Sequence, residues 1–297
     1  MLVFKCKNCG GEFEVNTHGE LLCPFCHSKQ YFTNEQLTGY DEFRDSLLKY
    51  LRSLNDAIAE EGDILNYWNY LSTRSFTHKD TGGQIEVSYT FQTTVDGVEV
   101  YINREHVIYH FSSADAFKAE AMIRNADSLS YPSADIKNLR QYLPALNARY
   151  ELSDSSVLVS VAKAENVYPL FVFSNLHPKH VAWMISRMEN LCCLFEFNGI
   201  DFKHMDEKNL FINPKTHEAF ILGGWWDIQR SGGRTCLKEL RKTAERITGS
   251  RLPEGPDMYR DFLRSEPKAD AYEDFAYWDE VIMKGFGGHN FTKFDTE

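Results

Sequence analysis

The sequence predicts an α+β chain of two lobes preceded by a small metal-binding ribbon. Three observations carry this. Two Cys-x-x-Cys pairs stand at the N-terminus, Cys6/Cys9 and Cys23/Cys26. Apolar residues alternate with a strand period from Phe76 to Asn103. From His177 onward the apolar spacing is mostly helical.

The ribbon comes first. Thirteen residues separate Cys9 from Cys23. Each pair at this spacing folds as a knuckle whose backbone turns under a metal, and four thiolates suit tetrahedral zinc. Gly10 and Gly11 relax the first turn, and Pro24 stiffens the second. Glu12 to Val15 reads as a strand, Asn16 to Gly19 as a turn and Glu20 to Leu22 as the return strand, so the expectation is one hairpin closed by the metal. Four thiolates leave no open coordination position, which makes the zinc structural. About thirty residues bury too little surface to fold alone, so the metal supplies folding energy. His18 and His27 are alternative ligands that four cysteines make unnecessary.

Thr38 and Asp41 match a capping box, and Gly62 is a stop. Between them Phe43, Leu47, Leu48, Leu51, Leu54 and Ile58 form a stripe at helical spacing, read as a packing face. Ile85, Val87, Tyr89 and Phe91 alternate; Asp96-Gly97 is a hairpin turn; Val98, Val100 and Ile102 alternate after it. Ser112 to Asp115 opens a helix, and strands follow at 150–152 and 157–161. His177-Pro178 opens an amphipathic helix with Val181, Met184, Ile185, Met188, Cys192 and Phe195 on one face. Short strands at 210–212 and 220–222 precede a helix from Thr235 to Thr248 ended by Gly249. A last helix runs from about Ala269 to Lys284. Its acids Asp270, Glu273, Asp274, Asp279 and Glu280 read as a solvated face, and Tyr272, Phe275, Trp278 and Ile282 as its packing side. The expected division is ribbon 1–33, helical connector 34–75, first lobe 76–165 and mostly helical second lobe 166–297.

The net charge of −11 argues against broad nucleic-acid or anionic-lipid binding. No apolar run reaches membrane-spanning length, and the N-terminus carries no secretory pattern. Paired cysteines in a metal pattern point to a reducing, cytoplasmic setting.

Residues 199–212, GIDFKHMDEKNLFI, resemble the catalytic loop of protein kinases, GIVHRDLKPENLLI, without a gap. The helix before it resembles the helix that feeds that loop. Val98 to Ile102 is similar to the kinase strand V-A-V-K-I, and Glu120 stands on the following helix where kinases carry the acid that pairs with the lysine. Phe220-Ile221-Leu222-Gly223-Gly224-Trp225 falls where kinases read K-L-I-D-F-G, and Val159 to Glu165 would be the strand and hinge between lobes. The resemblance covers about residues 76–250 and implies a two-lobed protein-kinase-like fold.

What the resemblance implies for activity lies in the departures. A kinase needs a lysine on the phosphates, an aspartate base and a magnesium-binding aspartate. Carried over position by position, Tyr101 replaces the lysine, His204 the base and Gly223 the metal aspartate; only Asn209 keeps its identity. Thr81-Gly82-Gly83 is a poor glycine loop. One asparagine cannot offset the charge of a nucleotide triphosphate and its magnesium. The expectation is therefore a catalytically inactive pseudokinase, a scaffold or regulatory binding protein that takes a protein partner, holds structural zinc and does not use ATP and magnesium. Trp225 and Trp226 would fill the vacated space. The alternatives are a divergent kinase or nucleotidyltransferase using Asp206, Asp227 or His204, and nucleic-acid binding through the ribbon. Against the last, Lys5, Lys7 and Lys29 are offset by Glu12, Glu14 and Glu20.

Overall fold

The computed structural model describes residues 2–288 except 7, 16–18, 33, 61–63 and 231–233. The expected turn at 16–18, with His18, and the stop at Gly62 lie outside the described residues.

The ribbon is two hairpins rather than one. Strand β1 (Leu2–Lys5) pairs antiparallel with β2 (Glu12–Val15), and β3 (Gly19–Leu22) pairs with β4 (Lys29–Phe32). The expected pairing of β2 with β3 does not form because each Cys-x-x-Cys is itself the turn of its own hairpin. The two turns match. Gly10 N–H donates to the Cys6 carbonyl at 2.8 Å and His27 N–H to the Cys23 carbonyl at 2.9 Å. Both residues after the second cysteine take positive φ, 73° at Gly10 and 57° at His27. His27 is exposed, and its part is this turn.

Helix α1 (Asn34–Leu54) begins four residues before the expected cap at Thr38. Phe43, Leu47, Leu48 and Leu51 are buried as expected, whereas Leu54 is exposed and Ile58 is buried beyond the helix end. A 3-10 segment (Ile64–Asn69) then crosses to the junction between the lobes. There the Trp68 indole N–H donates to the Glu165 carbonyl at 2.8 Å, and its ring stacks on Tyr168 at 4.7 Å.

The first lobe opens with a hairpin, β5 (Ser72–Thr77) and β6 (Gln84–Tyr89), which lies outside the main sheet. That sheet contains β7 (Phe91–Val95), β8 (Val98–Ile102), β9 (His106–Phe111), β10 (Ala145–Glu151) and β11 (Val157–Ala162) in the order β10-β11-β9-β8-β7. Helix α2 (Ala116–Asp127) and the short α3 (Ala134–Lys137) connect β9 to β10. Strand β9 was not expected from the sequence. Its register places Val100, Tyr109 and Val159 side by side on the face toward α2, in one core cluster with Met122. The opposite face carries Tyr101 and Leu158, covered by Phe76 and Val87 of the β5–β6 hairpin.

The second lobe begins with β12 (Tyr168–Pro169), then α4 (Pro178–Phe197), β13 (Leu210–Ile212), β14 (Ala219–Ile221), α5 (Thr235–Thr248), α6 (Asp257–Arg264) and α7 (Ala271–Gly285). The His177 ring caps α4, accepting the Lys179 N–H at 3.1 Å. The expected stripe of α4 is buried throughout. Asp201 caps α5: its Oδ1 accepts the N–H groups of Thr235 and Cys236 at 2.9 and 3.2 Å. Helix α7 departs from expectation at Asp274, which is fully buried instead of solvated. Its carboxylate takes both hydrogen bonds of Arg241 Nη2, at 2.8 and 2.9 Å. Beside them Glu189 is buried, and burial with the neighbouring Asp274 pushes its carboxyl well up. Tyr272 is exposed, while Trp278 and Ile282 pack inward.

Together these elements form an α+β, two-lobed, protein-kinase-like fold with an N-terminal four-cysteine cluster consistent with a small zinc ribbon. Val15 of the ribbon is buried in the same apolar cluster as α1 and the lobes, so ribbon and body share a core instead of having separate ones.

Helix α1 is fixed to the second lobe at a histidine pair. His180 Nδ1 lies 2.6 Å from His217 Nε2, and the Phe43 ring packs on both. Burial lowers both imidazoles, His217 to about 3. An unfolded histidine titrates near about 6.5. The unfolded chain therefore takes up protons first as pH falls, and stability present above about 6.5 is lost progressively below it. Denaturant melts should show a decline already between pH 6.5 and 5, above the range of ordinary carboxylates, and His217→Gln should flatten it. Asp274→Ala, which strands the buried Arg241 charge, should cost about 3–5 kcal/mol in the same assay.

Candidate functional site

The four ribbon cysteines converge. Their sulfurs lie within 4.8 Å of one another, with Cys6 and Cys26 at 3.6 Å and Cys9 and Cys23 at 3.7 Å. A tetrahedron with metal–sulfur bonds of 2.3 Å has edges of about 3.8 Å. The backbone N–H groups of Asn8 and Phe25 donate to Cys6 and Cys23 Sγ, each at 3.4 Å, so the two knuckles bind their sulfurs in the same way. The Ser28 hydroxyl and backbone, with Asn8, draw the Cys26 thiol down to about 5. This donor set fits a closed tetrahedral ion.

The second candidate is the cleft between the lobes. Its floor is the loop 201–209, held by the Asp201 cap at one end and by a turn at the other. In that turn Asp206 Oδ1 accepts the Lys208 N–H at 2.9 Å, and Oδ2 accepts the Asn209 side-chain amide at 2.8 Å. Asp206 is thereby a turn-forming residue, both oxygens engaged. Asn209 is fully buried, and its Oδ1 has no hydrogen-bond partner.

The segment after β14 lies directly on this floor, and two glycines make that approach. A Cβ at Gly223 would stand 2.3 Å from Asn209 Oδ1. A Cβ at Gly224 would stand 2.4 Å from the Cβ of His204, and Gly224 also has φ +79°. Trp225 turns into the second lobe against Phe195 and Phe202 and donates to the Ile221 carbonyl at 3.1 Å. Trp226 turns up into the cleft, its ring 5.7 Å from Tyr109, 5.5 Å from Phe111 and 6.1 Å from His204.

The roof is β9, not β8. Tyr101 faces away from the cleft; its hydroxyl donates to Glu99 Oε2 at 2.9 Å on the outer face, where His110 also holds Glu99 at 2.7 Å. The residue that faces the cleft from the third strand of the sheet, directly before α2, is Tyr109. Kinases carry their phosphate-binding lysine on a third strand, so the assignment of that position to Tyr101 is corrected to Tyr109. Val98 to Ile102 copies the apolar pattern of the family strand more closely than β9 does. The alternation Val107, Tyr109, Phe111 immediately before the helix was the available signal. The Tyr109 hydroxyl is buried without a hydrogen-bond partner, and a Cβ on Gly223 would lie 3.3 Å from it.

Glu120 does not point into the cleft either. Its side chain is 75% exposed, 3.9 Å from Arg149, beside an open groove lined by Lys79, Phe117 and Glu151. The Thr81-Gly82-Gly83 turn joins β5 to β6 at the outer hairpin, with His78 and the backbone of Glu151 as neighbours. The turn over the cleft is Asp96-Gly97, with φ 49° and 82°. It closes β7 to β8 in two residues and reaches the floor: Lys208 Nζ donates to the Thr94 carbonyl at 3.1 Å, and Asp96 Oδ2 lies 3.6 Å from His204 Nε2. Asp227 pairs with Lys203 and stands 4.0 Å from His204 Nε2. His204 is buried, and burial lowers its imidazole against the pull of Asp96.

No protein-family model matches the chain, and no curated protein matches its sequence. Solved structures share the fold. The ROP18 kinase domain in complex with AMP-PNP and sucrose is 13% identical, with 82% of this chain and 94% of that chain covered at a TM-score of 0.46. Vaccinia related kinase 3 is 10% identical, with coverage of 79% and 81% and a TM-score of 0.42. The bifunctional kinase-methyltransferase WbdD is 10% identical, with coverage of 84% and 67% and a TM-score of 0.43. Likeness at these values concerns the fold and carries nothing about activity.

The packing makes two sharp expectations. Gly224→Ala should destabilise by about 1–3 kcal/mol or more, because the added methyl meets His204 and the backbone is left-handed. Tyr109→Phe should be neutral or stabilising in the same melts, because it removes a buried hydroxyl that has no partner.

Proposed function

We propose that this chain is a pseudokinase: a kinase-like body that works as a scaffold or regulatory binding protein, with zinc holding its ribbon. The observation that carries the reading is Tyr109 set against Gly223, with Trp226 packed on Tyr109, where a kinase places a lysine, a nucleotide phosphate and a metal-binding aspartate. Phosphoryl transfer is catalysed mainly by fixed charge around the transferred group. At the positions of the lysine, the phosphate and the metal aspartate, the cleft offers a phenol, an indole and a glycine beside one asparagine instead. Asp206 has both oxygens engaged in its turn, and Asp227 is paired with Lys203. The reading extends to a protein partner in a reducing, cytoplasmic setting. The ribbon exposes Leu22, Phe25 and Tyr31, side chains of the kind recognition surfaces use.

Zinc in the ribbon is the second part of the proposal. Protein purified without chelator should contain one zinc per chain by elemental analysis, and Cys23→Ser should lose it. Because Val15 belongs to the shared core, that variant should also lower the melting temperature of the body.

The test of inactivity is a melt with millimolar ATP and magnesium. A ligand at a hundred times its dissociation constant stabilises by about 2.7 kcal/mol. No magnesium-dependent shift is expected, and intact mass after incubation with ATP and magnesium or manganese should show no added phosphoryl or nucleotidyl group. A shift together with label that disappears in His204→Ala or Asp206→Ala would establish an enzyme instead.

A further inference from the structure

At the mouth of the cleft three potential ligand atoms from both lobes converge: Asp96 Oδ2 from the β7–β8 turn, His204 Nε2 from the floor and Asp227 Oδ2 from the segment after β14. All lie within 4.8 Å of one another. We infer that Asp96, His204 and Asp227 bind one divalent transition-metal ion of the zinc or manganese class, which staples the two lobes together.

The imidazole supplies the independent evidence. His204 is only 6% exposed, yet its Nε2 has no hydrogen-bond partner and is aimed between the two carboxylates, at 3.6 and 4.0 Å. A buried polar nitrogen left in that state is costly, and coordination would recover the cost. Its position is fixed from behind. Gly224 packs against its Cβ, and Phe202 and Trp226 flank the ring. The carboxylates are the movable partners, each about half exposed at the rim. Tetrahedral bonds of 2.0–2.1 Å require ligand edges of about 3.3–3.4 Å, so the rim residues need to close by well under an ångström on the nearer side.

The donor set selects the ion. One imidazole and two carboxylates suit zinc, manganese, cobalt or nickel, whereas an all-oxygen shell suits magnesium or calcium. Two carboxylates balance the charge of a divalent ion. Without one, Lys203 at Asp227 is the neighbouring cation. Three protein ligands leave positions for water, in contrast to the closed four-thiolate ribbon. The ion would lie apart from the Asn209–Gly223 position at which kinases hold magnesium, and it requires no nucleotide.

The experiment uses the full chain with its ribbon loaded with zinc and no nucleotide present. Manganese is titrated in, and free Mn²⁺ is followed by its paramagnetic resonance signal, since manganese competes poorly for thiolates. One Mn²⁺ per chain should bind and raise the melting temperature. Asp96→Asn, at an exposed position, and Asp227→Asn, at a half-buried one, should each weaken binding at least ten-fold and remove the melting shift; His204→Gln should do the same. No uptake up to millimolar manganese, or uptake unchanged in either aspartate variant, overturns the inference.

Discussion

The close approach of Gly223 and Gly224 to Asn209 and His204 is the contact on which the character of the cleft depends. A side chain at either glycine would hold the segment after β14 away from the floor. With none there, the segment descends, Trp225 enters the second lobe and Trp226 rises against Tyr109 and Phe111. The same descent brings Asp227 beside Lys203 and His204. The approach of Gly223 to Asn209 and the packing of Trp226 against Tyr109 are thus one packing event. An aspartate at position 223 would have to displace a buried asparagine whose amide is already bonded to Asp206.

Much of the fold was legible because it rests on periodicity and caps. The α4 stripe, the Asp96-Gly97 turn and the end of α5 at Gly249 are local signals, and the structure carries each of them. What was illegible is non-local. The β5–β6 hairpin covers the outer face of the sheet, so Tyr101 and Leu158 are as apolar in setting as the residues toward α2, and the sequence marks no inside. Tyr101 and Tyr109 are therefore indistinguishable by apolar pattern alone. Asp274 reads as one acid among several on α7, and only the tertiary position of Arg241 makes it a buried partner. In the ribbon the cysteine spacing marks the four residues that converge but not the strand pairing, because a knuckle and a loop between strands have the same composition.

The connector helps determine how the lobes sit. α1 and the 3-10 segment after it engage the second lobe through Phe43 and the His180–His217 pair, and the junction through Trp68. The Ser46 hydroxyl accepts the Ser174 N–H at 2.9 Å across the same contact. A kinase opens and closes its lobes to exchange nucleotide; here α1 braces the junction from outside while the Asp96-Gly97 turn rests on the floor inside. The body is fastened at both places.

The most direct measurement is hydrogen exchange of the backbone amides from Leu222 to Asp227, with and without magnesium and ATP. The packed cleft predicts slow exchange that the nucleotide leaves unchanged. Fast exchange that becomes protected on adding nucleotide would contradict it, because it would mean that the cleft stands open and that ATP closes it.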